Sequence, residues 1–232
     1  MVKFNRADGT EVPAYASASG PKGGLIVLQE WWGINDQIKA TATDIAAKCG
    51  VRVVIPDLYR SKVAYEAAEA QHLMSGLDWP GALQDVKAAA TWLKSQGCSK
   101  VGVVGFCMGG ALSLGSAVHH PEIDACIAFY GWNDGLADVK EMKKPTQCHF
   151  GQKDEIKGFS DPEAAAKLEE KLKASGCPME FYMYETQGHG FMNGTAWGKE
   201  MQKKLGRPEV EDATILLAMD RMKDFLAKHV LA

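Results

Sequence analysis

The stretch Lys100-Val101-Gly102-Val103-Val104-Gly105-Phe106-Cys107-Met108-Gly109-Gly110-Ala111-Leu112-Ser113-Leu114 decides how the rest of the chain is read. Its valines at 101, 103 and 104 form the β-branched apolar run that suits a strand buried on both faces, and a helix follows at once. Between them, Gly105-Phe106-Cys107-Met108-Gly109 has the glycine spacing of the tight strand-to-helix turn called the nucleophile elbow, with sulfur where serine is usual. So tight a turn presses its flanks against backbone, and a Cβ at Gly105 or Gly109 would collide with it. Cys107 is thereby pushed out at the C-terminal edge of a sheet, where open α/β sheets bind ligands. The first amides of the following helix favour an anion there. A merely packed cysteine is the plain alternative, since free cysteine is among the most buried residue types.

Outward from that stretch, strands and helices alternate. Residues 2 to 19 read as two short strands around Ala7-Asp8-Gly9-Thr10, an antiparallel edge with a strong hairpin signal. Pro21-Lys22-Gly23-Gly24 leads into an apolar strand from Leu25 that ends in Gln29-Glu30-Trp31-Trp32. Asn35 is placed to cap a helix whose Ile38, Ala42, Ile45 and Ala46 share a face and which Gly50 ends. Val51 to Ile55 is the next strand, closed by Pro56-Asp57-Leu58-Tyr59, and residues 61 to 80 are a polar excursion of helix and loop. After an amphipathic helix from Leu83 to Gln96 and the central elbow come strands over 123 to 130, 146 to 150 and 179 to 184, with helices over 164 to 174 and 210 to 230. The pattern predicts one α/β domain over residues 1 to 232, with a mostly parallel sheet covered on both faces and an antiparallel N-terminal edge.

Composition narrows the function. With 26 basic and 29 acidic residues the formal charge is −3, which gives no electrostatic footing for nucleic acid or an anionic membrane. A small neutral or mildly charged ligand fits better. No apolar run reaches the ~18 residues of a membrane span, and the N-terminus lacks an apolar signal core, so a cytosolic monomer or homodimer is expected. The six cysteines show no C-x-x-C pair and read as thiols, of which only Cys107 has a context that suggests reactivity.

A cysteine nucleophile needs a base, and six histidines compete. His119 and His120 follow the elbow helix at its far end, His149 lies inside a strand, His72 is in the excursion and His229 is near the C-terminus. His189, in Thr186-Gln187-Gly188-His189-Gly190-Phe191, follows the last strand and so emerges at the rim that carries Cys107. Its orienting carboxylate is expected to be Asp154 in Gly151-Gln152-Lys153-Asp154, with Asp57 and Glu155 as competitors. Cys107, Asp154, His189 is the order nucleophile, acid, base found in α/β-hydrolases. Backbone N–H groups of Trp31 and Met108 are the expected oxyanion donors. Glu30 is either a solvated carboxylate at a strand end or a switchable partner of the Cys107 proton.

These residues resemble the dienelactone hydrolase family, through Leu28-Gln29-Glu30-Trp31-Trp32-Gly33-Ile34-Asn35, Pro56-Asp57-Leu58-Tyr59, Gly105-Phe106-Cys107-Met108-Gly109-Gly110, Gly151-Gln152-Lys153-Asp154 and Gly188-His189-Gly190-Phe191. The segments span most of the chain in the family's order. The resemblance implies an α/β-hydrolase fold and a Cys107, Asp154, His189 triad, with Glu30 pairing with the resting cysteine and helping to form the thiolate. It implies a carboxylic-ester or lactone hydrolase working through a thioester, with no metal or organic cofactor. Family members bind the dienelactone carboxylate with arginines after the G-H-x-F motif and in the excursion. Here those places hold Phe191-Met192-Asn193 and a Lys62 to Pro80 segment without arginine, which favours a neutral ester or lactone unless Arg60 or Lys62 folds inward. Trp31, Trp32, Phe191 and Asn193 are expected near the substrate, and Trp79 is as readily core as wall. The competing readings are a non-catalytic ligand-binding or oxidant-sensing protein of the same fold, a thioesterase and a glycan-ester hydrolase.

Overall fold

The structure is a computed structural model that describes residues 1–17 and 23–232. The expected end of the N-terminal strand pair and the Pro21-Lys22 lead into the next strand lie outside the described residues. In chain order the elements are β1 (Val2–Asn5), β2 (Glu11–Ala16), β3 (Gly23–Leu28), α1 (Asp36–Cys49), β4 (Arg52–Pro56), α2 (Ala67–Ser75), α3 (Trp79–Ser95), β5 (Lys100–Phe106) and α4 (Met108–His119). They continue with β6 (Ala125–Phe129), β7 (Thr146–Gly151), α5 (Pro162–Ser175), β8 (Met179–Tyr184), α6 (Ala196–Lys204) and α7 (Asp212–Leu226).

Eight strands form one sheet in the order β1-β2-β4-β3-β5-β6-β7-β8. The β1–β2 and β2–β4 pairs are antiparallel and the others parallel, as the alternation of elements predicted. The β5 run is sandwiched in register, with Val103 opposite Ile26 on one side and Cys126 on the other. Alternate residues feed two cores. Val101 and Val103 pack with Ala89 and Leu93 of α3, Leu112 of α4 and Leu168 of α5, whereas Val104 and Phe106 pack with Ile38 and Ile45 of α1 and Met222 of α7. A strand apolar at nearly every position therefore has a layer of helices to satisfy each face.

Local signals place the helices that frame the site. Asn35 Oδ1 accepts from the Ile38 N–H at 3.1 Å, and Gly50 ends α1 in the left-handed region at φ 67°. α3 begins at Trp79, earlier than the apolar periodicity from Leu83 suggests, because Asp78 caps it at the Gly81 N–H (3.1 Å) and Pro80 suits a first turn. α6 is a helix the sequence reading leaves out, although Trp197 and Met201, with Leu205 just past its end, fall at helical spacing on one face; Thr195 caps it at the Gly198 N–H (3.1 Å). Among the described residues no helix is long and apolar enough to cross a membrane.

Candidate active site

Cys107 joins β5 to α4 with φ 56°, a left-handed conformation that costs a non-glycine residue energy and is kept only where its surroundings enforce it. Its N–H donates to the Phe129 carbonyl (3.1 Å), and its own carbonyl accepts from the Gly110 N–H (2.9 Å). The flanking glycines are sterically required. A Cβ at Gly105 would fall on the Gly109 carbonyl, and one at Gly109 would lie 2.7 Å from the Leu28 and Gln29 carbonyl oxygens. Met108 opens α4, so its N–H has no acceptor inside the helix. Both Met108 and Trp31 line the cleft beside Cys107, a space of about 290 Å³ shared with Met74, Trp79, Phe159 and His189.

Asp154 follows β7 and His189 follows β8, and the parallel sheet delivers both to the rim that carries Cys107. Asp154 Oδ1 accepts from the Ile156 N–H at 3.1 Å, which turns Oδ2 toward His189 Nδ1 at 2.8 Å. Ser160 Oγ lies 3.0 Å from the same nitrogen. Nε2 is buried without a hydrogen-bond partner, and the ring is braced edge-on by Tyr130 at a centroid distance of 5.1 Å. The imidazole is pushed up to about 9. Burial is the largest influence and lowers it, but the charge of the Cys107 sulfur and the hydrogen bond to Asp154 together outweigh that. Since Nε2 makes no bond of ordinary length and angle, the short-range charge of the sulfur is the better account of its share.

The competitors are occupied elsewhere. Asp57 accepts from the Tyr59 and Ser61 N–H groups (3.1 and 2.6 Å) and shapes its own turn, and Glu155 is exposed. His119 and His120 contact the Leu136 and Leu83 carbonyls (2.9 and 3.0 Å) beyond the far end of α4. All six cysteines are free and buried. Burial pushes the Cys49 thiol up to about 11 and holds Cys126 and Cys148 well above the ordinary thiol value, so none of these three is a ready thiolate.

Glu30 is not solvated. Its Oε1 accepts from the Tyr130 hydroxyl (2.9 Å) and Asn193 Nδ2 (3.0 Å), and Oε2 accepts from the same amide nitrogen (3.0 Å). It borders a small space of about 10 Å³ with Trp32 and Asn35, none of whose lining residues is shared with the cleft. Tyr130 connects the two regions. Its phenol is raised well above its usual value by burial, then by Glu30 and by the Cys107 charge.

Three residues expected at the substrate are not in the cleft. The turn at Gly190 (φ 78°) sends Phe191 into the core against Tyr184 and Tyr130, at 4.8 and 5.2 Å, and commits Asn193 to Glu30 and to the Gly190 carbonyl (2.9 Å). Trp32 packs edge-on against Trp197 at 5.3 Å. Trp31 and Trp79 do line the cleft. Arg60 does not fold inward: it grips the buried Asp85 with two bonds of 2.8 and 2.9 Å, and with Lys62 it lines a different depression. A cation the sequence reading missed takes a place at the cleft. Arg207 belongs to its lining, oriented by an Nη1 bond to the buried Gln202 Oε1 (3.2 Å), whose Nε2 donates to the Gly190 carbonyl (3.2 Å). Only its chain position, between α6 and α7, ties it to the histidine loop, so no spacing rule points to it.

The model of the dienelactone hydrolase family matches residues 12–230. The chain is 30% identical over 207 residues to protein Usf of Aquifex pyrophilus, covering 83% of this chain and 87% of that protein. It is 29% identical over 213 residues to carboxymethylenebutenolidase of Rhodococcus opacus, covering 83% and 81%. Among solved structures, the dienelactone hydrolase-like promiscuous phosphotriesterase P91 from metagenomic libraries superposes with a TM-score of 0.79 at 20% identity, covering 99% of this chain and 98% of that one. The last of these likenesses speaks for the fold alone.

Proposed function

The chain belongs to the dienelactone hydrolase family, a family of hydrolases, and from that premise we propose that it hydrolyses activated carboxylic esters or lactones through a thioester on Cys107. His189 Nε2 takes the thiol proton, and the sulfur attacks the acyl carbon, forming a C–S bond. The oxyanion is held by the Trp31 and Met108 N–H groups. His189 returns its proton to the departing oxygen as the C–O bond breaks, then takes one from water, which attacks the thioester and regenerates the thiol. Asp154 holds the Nδ1–H tautomer throughout. A thiolate leaves a tetrahedral intermediate more readily than an ordinary alkoxide, so aryl esters, enol lactones and thioesters suit this site better than plain alkyl esters or amides.

The observation that carries this reading is His189 itself: Nδ1 is bound to a buried carboxylate at 2.8 Å, and Nε2 is left bare on a ring that shares a cleft with Cys107. Arg207 in that cleft supports substrates bearing an anionic group, although the arginines expected after the histidine and in the excursion are absent. The carboxymethylenebutenolidase relatives favour a lactone.

A panel of aryl esters, thioesters, neutral lactones and dienelactone, run before and after alkylation of Cys107, tests the proposal. Turnover of at least one class, abolished by alkylation and by Cys107→Ala, is expected. Undiminished turnover in Cys107→Ala removes the nucleophile, and tight binding of a lactone without turnover selects the non-catalytic alternative.

A further inference from the structure

His189 Nδ1 has two neighbours at hydrogen-bond distance, Asp154 Oδ2 at 2.8 Å and Ser160 Oγ at 3.0 Å. A triad accounts for the first and leaves the second without a role. Ser160 has no solvent exposure, and its placement is rigid. The N–H groups of Phe159, Ser160 and Asp161 all donate to the Ile156 carbonyl at 3.2, 3.1 and 3.2 Å, and the Gly158 N–H donates to Asp161 Oδ1 at 2.7 Å. Ile156 is itself anchored by its N–H to Asp154 Oδ1. The loop that fixes the carboxylate therefore also fixes the hydroxyl.

We propose that Ser160 is a positioning residue of the hydrolytic site, accepting a share of the His189 Nδ1–H so that the ring is held from two directions with its bare Nε2 toward Cys107. The alternative orientation, with the hydroxyl donating to Nδ1, would put the ring proton on Nε2 and leave the imidazole unable to receive the thiol proton. Asp154 disfavours it, because an ionised carboxylate has no proton to give and needs Nδ1–H as its donor. A second acceptor on Nδ1 gains strength when the ring becomes cationic, since hydrogen bonds to charged groups are the stronger ones. Ser160 thus assists both the thiolate–imidazolium pair and the ring's orientation.

The other groups around the imidazole are Cys107, Tyr130 and Arg207 of the cleft side, with Asp161 beside Ser160 paired to Lys157 at 3.7 Å, and Lys153 and Glu155 exposed on either side of Asp154. None of them is altered by removing one hydroxyl, so a displaced pH profile in Ser160→Ala reports on Ser160.

The inference rests on the proposed roles of Cys107 and His189, and its test reads both the free protein and turnover. In Ser160→Ala, kcat/KM for an aryl ester should fall roughly three- to tenfold, the scale of one net hydrogen bond. In the pH dependence of iodoacetamide alkylation, followed by mass on the Cys107 peptide, the alkaline limb, where the imidazolium loses its proton, should move down by about half a pH unit or more, while the acid limb, where the ring is cationic on both sides of the thiol ionisation, should stay in place. Ser160→Cys, which keeps a weak acceptor, should lie between wild type and Ser160→Ala, and it carries the same test should S160A precipitate. An alkaline limb unmoved in S160A, whatever the rate, would reduce Ser160 to a packing role and overturn the inference. A lowered alkaline limb in a protein that turns over no ester would strike the proposed function and leave the positioning role standing.

Discussion

His149 and His189 lie close to the same rim of the sheet, both buried, and differ in every property that matters for proton transfer. His149 sits inside β7, stacked on Phe129 at 4.2 Å with a 4° tilt between the planes. Its Nδ1 faces the Tyr184 hydroxyl at 2.8 Å and its Nε2 faces Gln147 Oε1 at 2.9 Å, an arrangement assigning the proton to Nε2, because the amide oxygen only accepts. Burial, and after it the charge of Arg221, holds this ring well below its ordinary value. His189 is buried as thoroughly, yet stands at about 9, because its neighbours are a carboxylate and a sulfur. Burial pushes both rings the same way. The partners decide which of them is locked neutral and which is able to take a proton. A histidine with both nitrogens satisfied by neutral groups has no nitrogen left for chemistry, whereas one with an anion on Nδ1 and no partner on Nε2 has the arrangement that the proposed base requires.

Substitution should separate the two most sharply. His189→Ala is expected to lower kcat/KM for an aryl ester by roughly 10³-fold or more, the scale of triad deletions. A loss under tenfold would mean that another base operates. His149→Phe should do the reverse, keeping the rate per folded molecule while costing about 2–4 kcal/mol in urea unfolding, because the Tyr184 hydroxyl and Gln147 amide are left buried without their partner. Equal damage to activity from both variants would break the distinction.

A smaller effect is expected at the cleft wall. Arg207→Gln should raise KM about tenfold for a carboxylate-bearing lactone and change it less than threefold for a neutral one, as befits one partly exposed ion pair. An equal rise for both would make Arg207 a general wall.

The pH dependence should divide the rings again. His149 has a depressed value in the fold, so the stability it contributes is present above pH ~6.5 and declines as the pH falls below that. His189 has a raised value, so its contribution is complete below ~6.5 and is lost as the pH rises through about 9. Urea midpoints across pH should therefore lose their acid-side decline in His149→Phe, whereas Cys107→Ala, lacking the sulfur's charge, should lower the His189 NMR titration from about 9. An unmoved His189 titration would show that the sulfur is not its partner. Smallest of all, Glu30→Gln should keep the fold and slow alkylation of Cys107 in the presence of substrate several-fold, and unaltered kinetics would leave Glu30 as an anchor for Tyr130 and Asn193.

What could be read from the sequence follows a rule visible in these residues. Cys107, Asp154 and His189 each lie within a few residues after a parallel strand, and the common direction of those strands fixes which end of the sheet they reach. The elbow glycines were legible because the turn's sterics demand them. Direction inside a loop was not: Phe191 and Asn193 follow His189 closely, but the left-handed Gly190 turns them into the core, and Trp32 points away from the cleft that its neighbour Trp31 lines. Ser160 and Arg207 reach the site through irregular turns held by local hydrogen bonds to Ile156 and Gln202, and no residue pattern announces where such turns lead. α6 escaped because its apolar face is short, only Trp197 and Met201 with Leu205 just beyond, set among charged and polar residues.

The most direct test of the central claim is rapid acid quenching of the wild-type protein during turnover of an aryl ester, followed by peptide mass mapping. The account predicts an acyl group on the Cys107 peptide, absent in Cys107→Ala together with turnover. An acyl group mapped to another side chain, or undiminished turnover in Cys107→Ala, would contradict it.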